Sequence, residues 1–142
     1  MEKTSSPRER MKRYSAEIAE DLRVDDANLS EKSFNVPHKK HYWASRYILE
    51  VQNLNDLERE KKSLEREAFS IQRQKAAADS PVALSDSSIK KMINGTKTLQ
   101  DINQQIEDQK LLVLYLEKCE KIFSFITNDI KNIVEIKQME TM

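Results

Sequence analysis

The sequence predicts an all-α protein built on two long amphipathic helices that pack as a hairpin or coiled coil. Its 142 residues include one glycine and three prolines, too few for the many turns that a sheet protein of this length requires. Charged residues make up 34% of the chain and aromatic residues 6%, a composition typical of long helices with solvated outer faces. The apolar residues recur at intervals of three, four and seven, the spacing of a helical seam.

The beginning of the chain is expected to be a flexible arm. Residues 1–14 are polar and basic, and the first thirteen carry a net charge of +3. They lack the apolar run of a signal peptide. We therefore expect a basic flexible arm ahead of a single helical domain that spans residues 15–142.

Two short helical pieces are predicted before the first long helix. Ser15 is a candidate N-cap for a short helix that continues through Leu22, because a serine oxygen can accept a bond from the first helical turn. Asp25 or Asp26 is a candidate N-cap for a second short turn that contains Leu29. This region is acidic, with six acidic against two basic side chains between positions 14 and 34.

The first long helix is predicted over about residues 37–78. Pro37 suits its first turn, where the missing N–H is not needed and the fixed φ is already helical. Leu57, Leu64 and Ile71 follow at intervals of seven and form a narrow apolar seam. Most of the remaining side chains are charged, so the outer face of this helix is expected to be solvated.

The second long helix is predicted over about residues 87–138, after a break at Asp79-Ser80-Pro81. Ser85 or Asp86 is its candidate N-cap. Gly95 is a weak interior point, since glycine costs about 1 kcal/mol relative to alanine in a helix. This position marks either a kink or a close backbone approach, and the sequence favours neither.

The C-terminal half of this second helix carries more apolar surface than one narrow seam can cover. A second copy of the chain would bury the remainder, so we expect a homo-oligomer. The residues expected to form the oligomer core recur in steps of three and four: Leu112, Leu116, Cys119, Phe123, Ile126, Ile130 and Ile133.

Several kinds of chemistry are excluded or disfavoured by the sequence. With Gly95 as the only glycine, the chain cannot form a glycine-rich phosphate loop or a nucleophile elbow. Cys119 falls on the apolar stripe and is expected to be a buried core residue. His38 and His41 have neighbouring lysines and too few further ligands for zinc. The longest apolar run, Leu111–Leu116, is far too short to span a membrane. We expect a soluble, cytoplasmic protein without catalytic residues, metal or cofactor.

Charge is balanced overall but segregated along the chain. The 24 basic residues match the 24 acidic ones, so any binding to nucleic acid must use local basic patches. One such patch lies within residues 35–48, which contain two histidines, three cations, three aromatic side chains and no acidic residue. Cations with aromatic rings suit single-stranded nucleic acid. Alternatively, Trp43 and Tyr47 pack on the C-terminal helix and the cations are solvated.

A second basic set surrounds the break between the two long helices. If the helices form a hairpin, their termini meet there and the cations make one positive patch. Cations near a helix C-terminus also have an ordinary explanation in the helix dipole. The residues of this set are Arg66, Arg73, Lys75, Lys90, Lys91 and Lys97.

The order of these features resembles the UvsY family, the recombination mediator proteins of myovirus-type tailed phages. The resemblance covers roughly residues 15–139 and rests on layout, length and scattered positions. Five features carry it: the acidic Asp25-Asp26-Ala-Asn-Leu29 stretch, Trp43, the Lys61-Lys62 pair, the Ile89–Met92 segment and the Leu111–Cys119 segment.

The resemblance implies a non-enzymatic protein that binds single-stranded DNA as a ring-like homo-oligomer of six or seven subunits. It also implies a role in loading a RecA-like recombinase onto DNA covered by single-strand-binding protein, in the cytoplasm of an infected host. The family has a pair of basic residues near the end of the first long helix. Arg73 and Lys75 match that pair if the helix is one heptad longer here, whereas an ungapped count places Arg66 and Ala68 there.

The candidate DNA-binding residues combine this resemblance with the two basic patches. They are Arg73, Lys75, Arg66, Lys61, Lys62, Lys39, Lys40, Arg46, Lys90 and Lys91. Two other functions stay open on the residues alone. One is a structural or adaptor coiled coil without nucleic-acid binding, which the neutral net charge favours. The other is a helical holdase, for which the first long helix offers little exposed apolar surface.

Overall fold

The computed structural model describes residues 5–23, 28–79 and 85–141, and every regular element in those ranges is helical. This confirms the all-α fold. Four helices follow one another along the described chain. They are α1 (Pro7–Asp21), α2 (Leu29–Asp79), α3 (Asp86–Asn94) and α4 (Lys97–Glu140). No helix in these ranges is both long and apolar enough to cross a membrane.

Helix α1 occupies much of the segment that was expected to be a flexible arm. Ser6 is its N-cap: the Oγ atom accepts a bond from the Glu9 backbone N–H at 3.2 Å, and the Glu9 carboxylate accepts one from the Ser6 N–H at 3.3 Å. Such a reciprocal capping box satisfies two N–H groups that a helix start would otherwise leave open. With Pro7 in its first turn, the helix begins well before Ser15, so the predicted cap at Ser15 is wrong.

Helix α2 begins at Leu29, ahead of the predicted start at Pro37, and ends at Asp79 as expected. A proline inside a helix removes one hydrogen bond and costs about 3 kcal/mol. The first turns are retained because Leu29 and Val36 are buried against Ile130 of α4. In addition, the Lys32 ammonium donates to two carbonyl groups at the end of α1. The predicted caps at positions 25 and 26 lie outside the described residues.

The second long helix is divided in two at Gly95. Ser85 caps α3 as expected, accepting a bond from the Ser88 N–H at 3.2 Å. Gly95 then forms the C-cap of α3 with helical dihedral angles, and the Thr96 hydroxyl donates to the Ile93 carbonyl at 2.6 Å. Glycine and a side chain that bonds to the backbone both weaken a helix interior. The predicted continuous helix over 87–138 is therefore wrong at this point.

The chain forms two compact units. Unit 1 contains residues up to Val51 together with Leu111 onward, and unit 2 contains Gln52–Lys110. In unit 1, the main core joins Tyr14 and Ile18 of α1 and Trp43 of α2 to the apolar face of α4. A smaller cluster unites the start of α2 with the C-terminal part of α4.

Most of the residues expected to form an oligomer core are buried within a single chain. Five of the seven have almost no exposed surface: Leu112, Leu116, Cys119, Phe123 and Ile130. Of the other two, Ile126 is partly buried beside Ile130, and Ile133 is exposed. Within one chain, Tyr14 and Ile18 of α1 and Trp43 of α2 cover this face of α4. The assignment of the seven residues to an oligomer core stays a prediction.

The core of unit 2 uses the predicted heptad seam of α2. Leu57 and Leu64 pack against a cluster from α3 and α4, while Ile71, the third residue of that seam, is exposed. The buried members of the cluster are Ile89, Ile93, Leu99, Ile102 and Ile106. The cluster from α3 and α4 therefore covers the seam at Leu57 and Leu64. Beyond it, the basic side chains of Arg66, Arg73 and Lys90 line a groove between α2 and α3.

Candidate nucleic-acid interface

A groove between α2 and α3 opens on the surface of unit 2. Its volume is about 810 Å³, within the range of typical ligand pockets. The wall is mainly cationic and polar, with an apolar floor. The lining residues are Glu65, Arg66, Phe69, Ser70, Arg73, Gln74, Lys90, Ile93 and Asn94.

Helical spacing explains why these side chains face one another. On α2, Arg66, Phe69 and Arg73 are separated by three and four positions, which places them on one face. On α3, Lys90 lies three positions before Ile93. Ile93 is buried in the core of unit 2 and fixes the orientation of α3. The cations consequently line the open side of the groove.

Arg73 makes two side-chain contacts in the groove, one with a carboxylate and one with an aromatic ring. Its guanidinium is 2.8 Å from the Asp86 carboxylate and 5.1 Å from the centre of the Phe69 ring. Both members of the ion pair are largely exposed, at 64% and 66% of their side-chain surface. Exposed pairs contribute little to stability, so Arg73 is available to a stronger anion.

The structure brings together only part of the basic set predicted near the helix break. Arg66, Arg73 and Lys90 share the groove. Lys75 and Lys91 are exposed but do not line it. On α2, Lys62 is exposed, and Lys61 forms an ion pair with Glu65 at 3.8 Å. Their role in DNA binding stays a prediction.

The contribution of Phe69 to this groove was not predicted from the sequence. Its spacing from Arg66 and Arg73 places it on their helix face, but an aromatic residue at such a position is more often part of a core. The amides of Gln74 and Asn94 were missed as well, because polar side chains at a helix end carry no distinctive pattern. The spacing of Phe69 between two arginines is the signal that could have identified it.

The aromatic and basic segment at the start of α2 has a structural role in unit 1. Trp43 is only 3% exposed, and its Nε1–H donates to the Asp21 carboxylate at 2.9 Å. The alternative in which Trp43 packs in the core is the one observed. Arg46 pairs with Glu17 at 2.6 Å and lies 4.1 Å from the centre of the Tyr42 ring.

Lysine 39 takes part in the same contact between α1 and α2. Its ammonium is 3.3 Å from the Asp21 carboxylate and 5.3 Å from the centre of the Tyr42 ring. Lys39 and Arg46 are thus engaged by the acidic end of α1, whereas Lys40 is exposed. Acidic residues of α1 thus pair with two of the three cations of this patch, and the DNA-binding role of all three stays a prediction.

Burial raises the pKa of two side chains of unit 1, Cys119 and Tyr115. Desolvation raises the pKa of the Cys119 thiol, although a hydrogen bond with Tyr115 acts in the opposite direction. Burial also raises the pKa of the Tyr115 phenol, against the lowering effect of a hydrogen bond with Ser15. Among the described residues, no three His, Cys, Asp or Glu side chains are grouped as a metal site would require.

The fold and the groove together define an all-helical binding protein with a cationic interaction surface. Residues 17–141 match the family described as "Recombination, repair and ssDNA binding protein UvsY". The chain therefore belongs to the UvsY family. The match begins within α1, so the first turns of that helix precede the part shared with the family.

Crystal structures of the bacteriophage T4 recombination mediator protein UvsY share this fold. One crystal form superposes with a TM-score of 0.73 at 13% identity, covering 92% of this chain and 98% of the other. A second gives 0.69 at 15% identity, with coverages of 92% and 97%. A third gives 0.70 at 15% identity, with coverages of 89% and 97%. No curated protein sequence matches this chain significantly.

Proposed function

We propose that this protein binds single-stranded DNA through the groove of unit 2 and acts as a recombination mediator. In that role it loads a RecA-like recombinase onto DNA covered by single-strand-binding protein, in the cytoplasm of the infected host cell. Membership in the UvsY family supports the general role. The observation that carries the assignment to this groove is the grouping of Arg66, Arg73 and Lys90 around one apolar floor.

The balance of charge makes a local site necessary. A chain with a formal net charge of zero has no overall electrostatic attraction for a polyanion such as DNA. Binding must therefore come from a few cations that are close together and open to solvent. The groove meets that condition, whereas Lys39 and Arg46 in unit 1 are already paired with carboxylates.

We also propose that copies of the chain assemble through the exposed face of α4. The face lies beside the buried stripe and is distinct from it, because its members recur in steps that return to one side of the helix. Phe125 is 70% exposed, an unfavourable state for a large apolar side chain in water. The exposed residues are Leu111, Leu114, Ile122, Phe125, Ile133, Ile136 and Met139.

A ring of six or seven subunits is the assembly we propose for this face. Each subunit would present one groove, and linked sites bind with an avidity that exceeds the affinity of a single site. Phe125→Asp should therefore reduce the mass measured by light scattering while the helical circular dichroism signal is retained. A variant that keeps the wild-type mass would show that another surface holds the assembly together.

The DNA site is tested by the anisotropy of labelled oligo-dT across a salt series. Two double variants remove the same charge: Arg66→Ala with Lys90→Ala inside the groove, and Lys75→Ala with Lys91→Ala outside it. For single strands, the logarithmic salt slope changes by about 0.7 for each phosphate contact. The groove variant should lose affinity and flatten the slope by about 1.4 per bound protomer.

The control pair decides between a groove and a diffuse field. If the outer variant retains its affinity and slope, the groove is the site. Equal losses in both variants would refute the groove as the site and favour a general positive potential. If the wild-type protein does not bind oligo-dT at low salt, the scaffold function favoured by the neutral net charge replaces DNA binding.

A further inference from the structure

The Phe69 ring is part of the apolar floor of the groove, beneath the guanidinium of Arg73. The ring is half-buried and packs on the core of unit 2, while its other side faces the groove. The guanidinium lies 5.1 Å from the ring centre and is held at that position by Asp86. The Arg73 guanidinium thus covers a face of the Phe69 ring on which a flat ligand could stack.

We propose that a base of the bound single strand stacks on Phe69, and that this happens when a phosphate replaces the Asp86 carboxylate as the partner of Arg73. This inference rests on the proposed function and specifies how the groove holds the strand. It assigns Phe69 to base stacking and Arg73 to phosphate binding.

Replacement of the Asp86 carboxylate by a DNA phosphate at Arg73 is favoured because the existing ion pair is exposed. Both side chains of the pair are more than half accessible, so water already competes for each charge. A phosphate offers the guanidinium two parallel charge-assisted hydrogen bonds. The displaced Asp86 is the first residue of α3, and a carboxylate in the first turn of a helix remains stabilised by the helix dipole.

The rest of the groove suits a base rather than a second cation or an aliphatic chain. Ile93 continues the apolar floor beside Phe69, and Gln74 and Asn94 also line the groove. Amides donate and accept hydrogen bonds, so they can meet the edge of any base. Stacking on an aromatic ring is tolerant of sequence, as general binding of single strands requires.

The experiment compares oligo-dT with an abasic oligonucleotide of the same length, which carries the phosphates without bases. Wild-type protein should bind oligo-dT at least fivefold more tightly, the low end of the range of about 5- to 150-fold for one stacked base. Phe69→Leu keeps the apolar packing but removes the ring, so it should abolish this preference. Its salt slope should be unchanged, since stacking involves no counterion release.

Two further variants separate stacking from phosphate exchange. Phe69→Tyr keeps a ring and should retain the preference for oligo-dT. Asp86→Asn removes the competing carboxylate and should increase the affinity for both oligonucleotides. Circular dichroism melting of Phe69→Leu verifies that unit 2 remains folded.

The results distinguish failure of this inference from failure of the proposed function. If wild-type protein binds both oligonucleotides equally, or if Phe69→Leu retains the full preference for oligo-dT, base stacking on Phe69 is refuted while DNA binding stands. Unchanged affinity in Asp86→Asn refutes the exchange at Arg73. Absence of binding to either oligonucleotide refutes the proposed function itself.

Discussion

An ion pair between Arg10 and Glu50 joins α1 to α2 in the interior of unit 1. The Arg10 Nε and Glu50 Oε2 atoms are 3.1 Å apart, and the two side chains are 13% and 4% exposed. Removing one partner of a buried pair typically costs about 3–5 kcal/mol, because the remaining charge stays in a medium of low dielectric constant. We predict that Arg10→Ala lowers the free energy of unfolding by about 3 kcal/mol or more.

The two single substitutions should differ, because the partners occupy different places in their helices. Arg10 lies close to the N-terminus of α1. In the Glu50→Ala variant, fraying of the first turn of α1 can therefore bring the Arg10 guanidinium into water. In the Arg10→Ala variant, the Glu50 carboxylate stays buried because Glu50 lies within α2. Arg10→Ala should therefore be the more destabilising. Replacing both partners by Met and Leu should be nearly neutral, as for other buried pairs replaced by apolar side chains.

The assay is urea unfolding followed by the fluorescence of Trp43, which lies in the core of unit 1. Protomer concentration must be held fixed, because assembly contributes to apparent stability. Lys61→Ala provides a matched control: it breaks a pair to Glu65 of 3.8 Å on the surface of α2 and should cost about 0.5 kcal/mol or less. If Arg10→Ala costs no more than this control, the docking of α1 does not depend on the ion pair.

Three further predictions concern single positions. Trp43 is the only tryptophan and is buried, so its emission should be blue-shifted and unchanged by oligo-dT; quenching by DNA would contradict its place in the core. Gly95→Ala should stabilise the protein by about 0.4–1 kcal/mol, since its φ is −80° and an added Cβ would meet only ordinary contacts at 3.5 Å; a lower melting temperature would disprove this. Because burial raises the pKa of both Cys119 and Tyr115, the folded state holds these protons longer than the unfolded state. The free energy of unfolding should consequently fall as pH rises above 9.0, the ordinary pKa of a thiol. Urea titrations at several alkaline pH values should show a weaker fall for Cys119→Ala than for the wild-type protein.

Local sequence signals predicted the helices well but missed the docking of α1. The scarcity of glycine and the cap at Ser85 are properties of short segments, and both led to correct statements about the fold. The Ser6–Glu9 capping box was also a local signal, but the surrounding cluster of cations was interpreted as a solvated arm. The contacts that hold α1 in place include an ion pair forty residues apart in sequence and the core packing of Tyr14 and Ile18, and no local pattern reports such contacts.

Periodicity predicted which face of α4 is buried but not which partner covers it. The stripe from Leu112 to Ile130 is apolar and buried within the chain. A helical period specifies a face, and any apolar surface of the right shape can cover it. The actual partners include Tyr14 and Trp43, which lie far away in the sequence. The cations of the groove were likewise identified by charge, while their grouping around Phe69 depends on the packing of α3.

The proposed assembly face and the proposed DNA groove use different residues, so mutation can test them separately. The groove belongs to unit 2, and the exposed face around Phe125 belongs to unit 1. On this proposal, one groove with three exposed cations binds a strand weakly, and a long strand gains affinity by occupying several grooves at once. A dissociated Phe125→Asp protein should therefore lose affinity for long oligo-dT much more than for an oligonucleotide that fills one groove. Equal losses for both lengths would mean that the substitution damages the groove, or that a ring does not create the affinity.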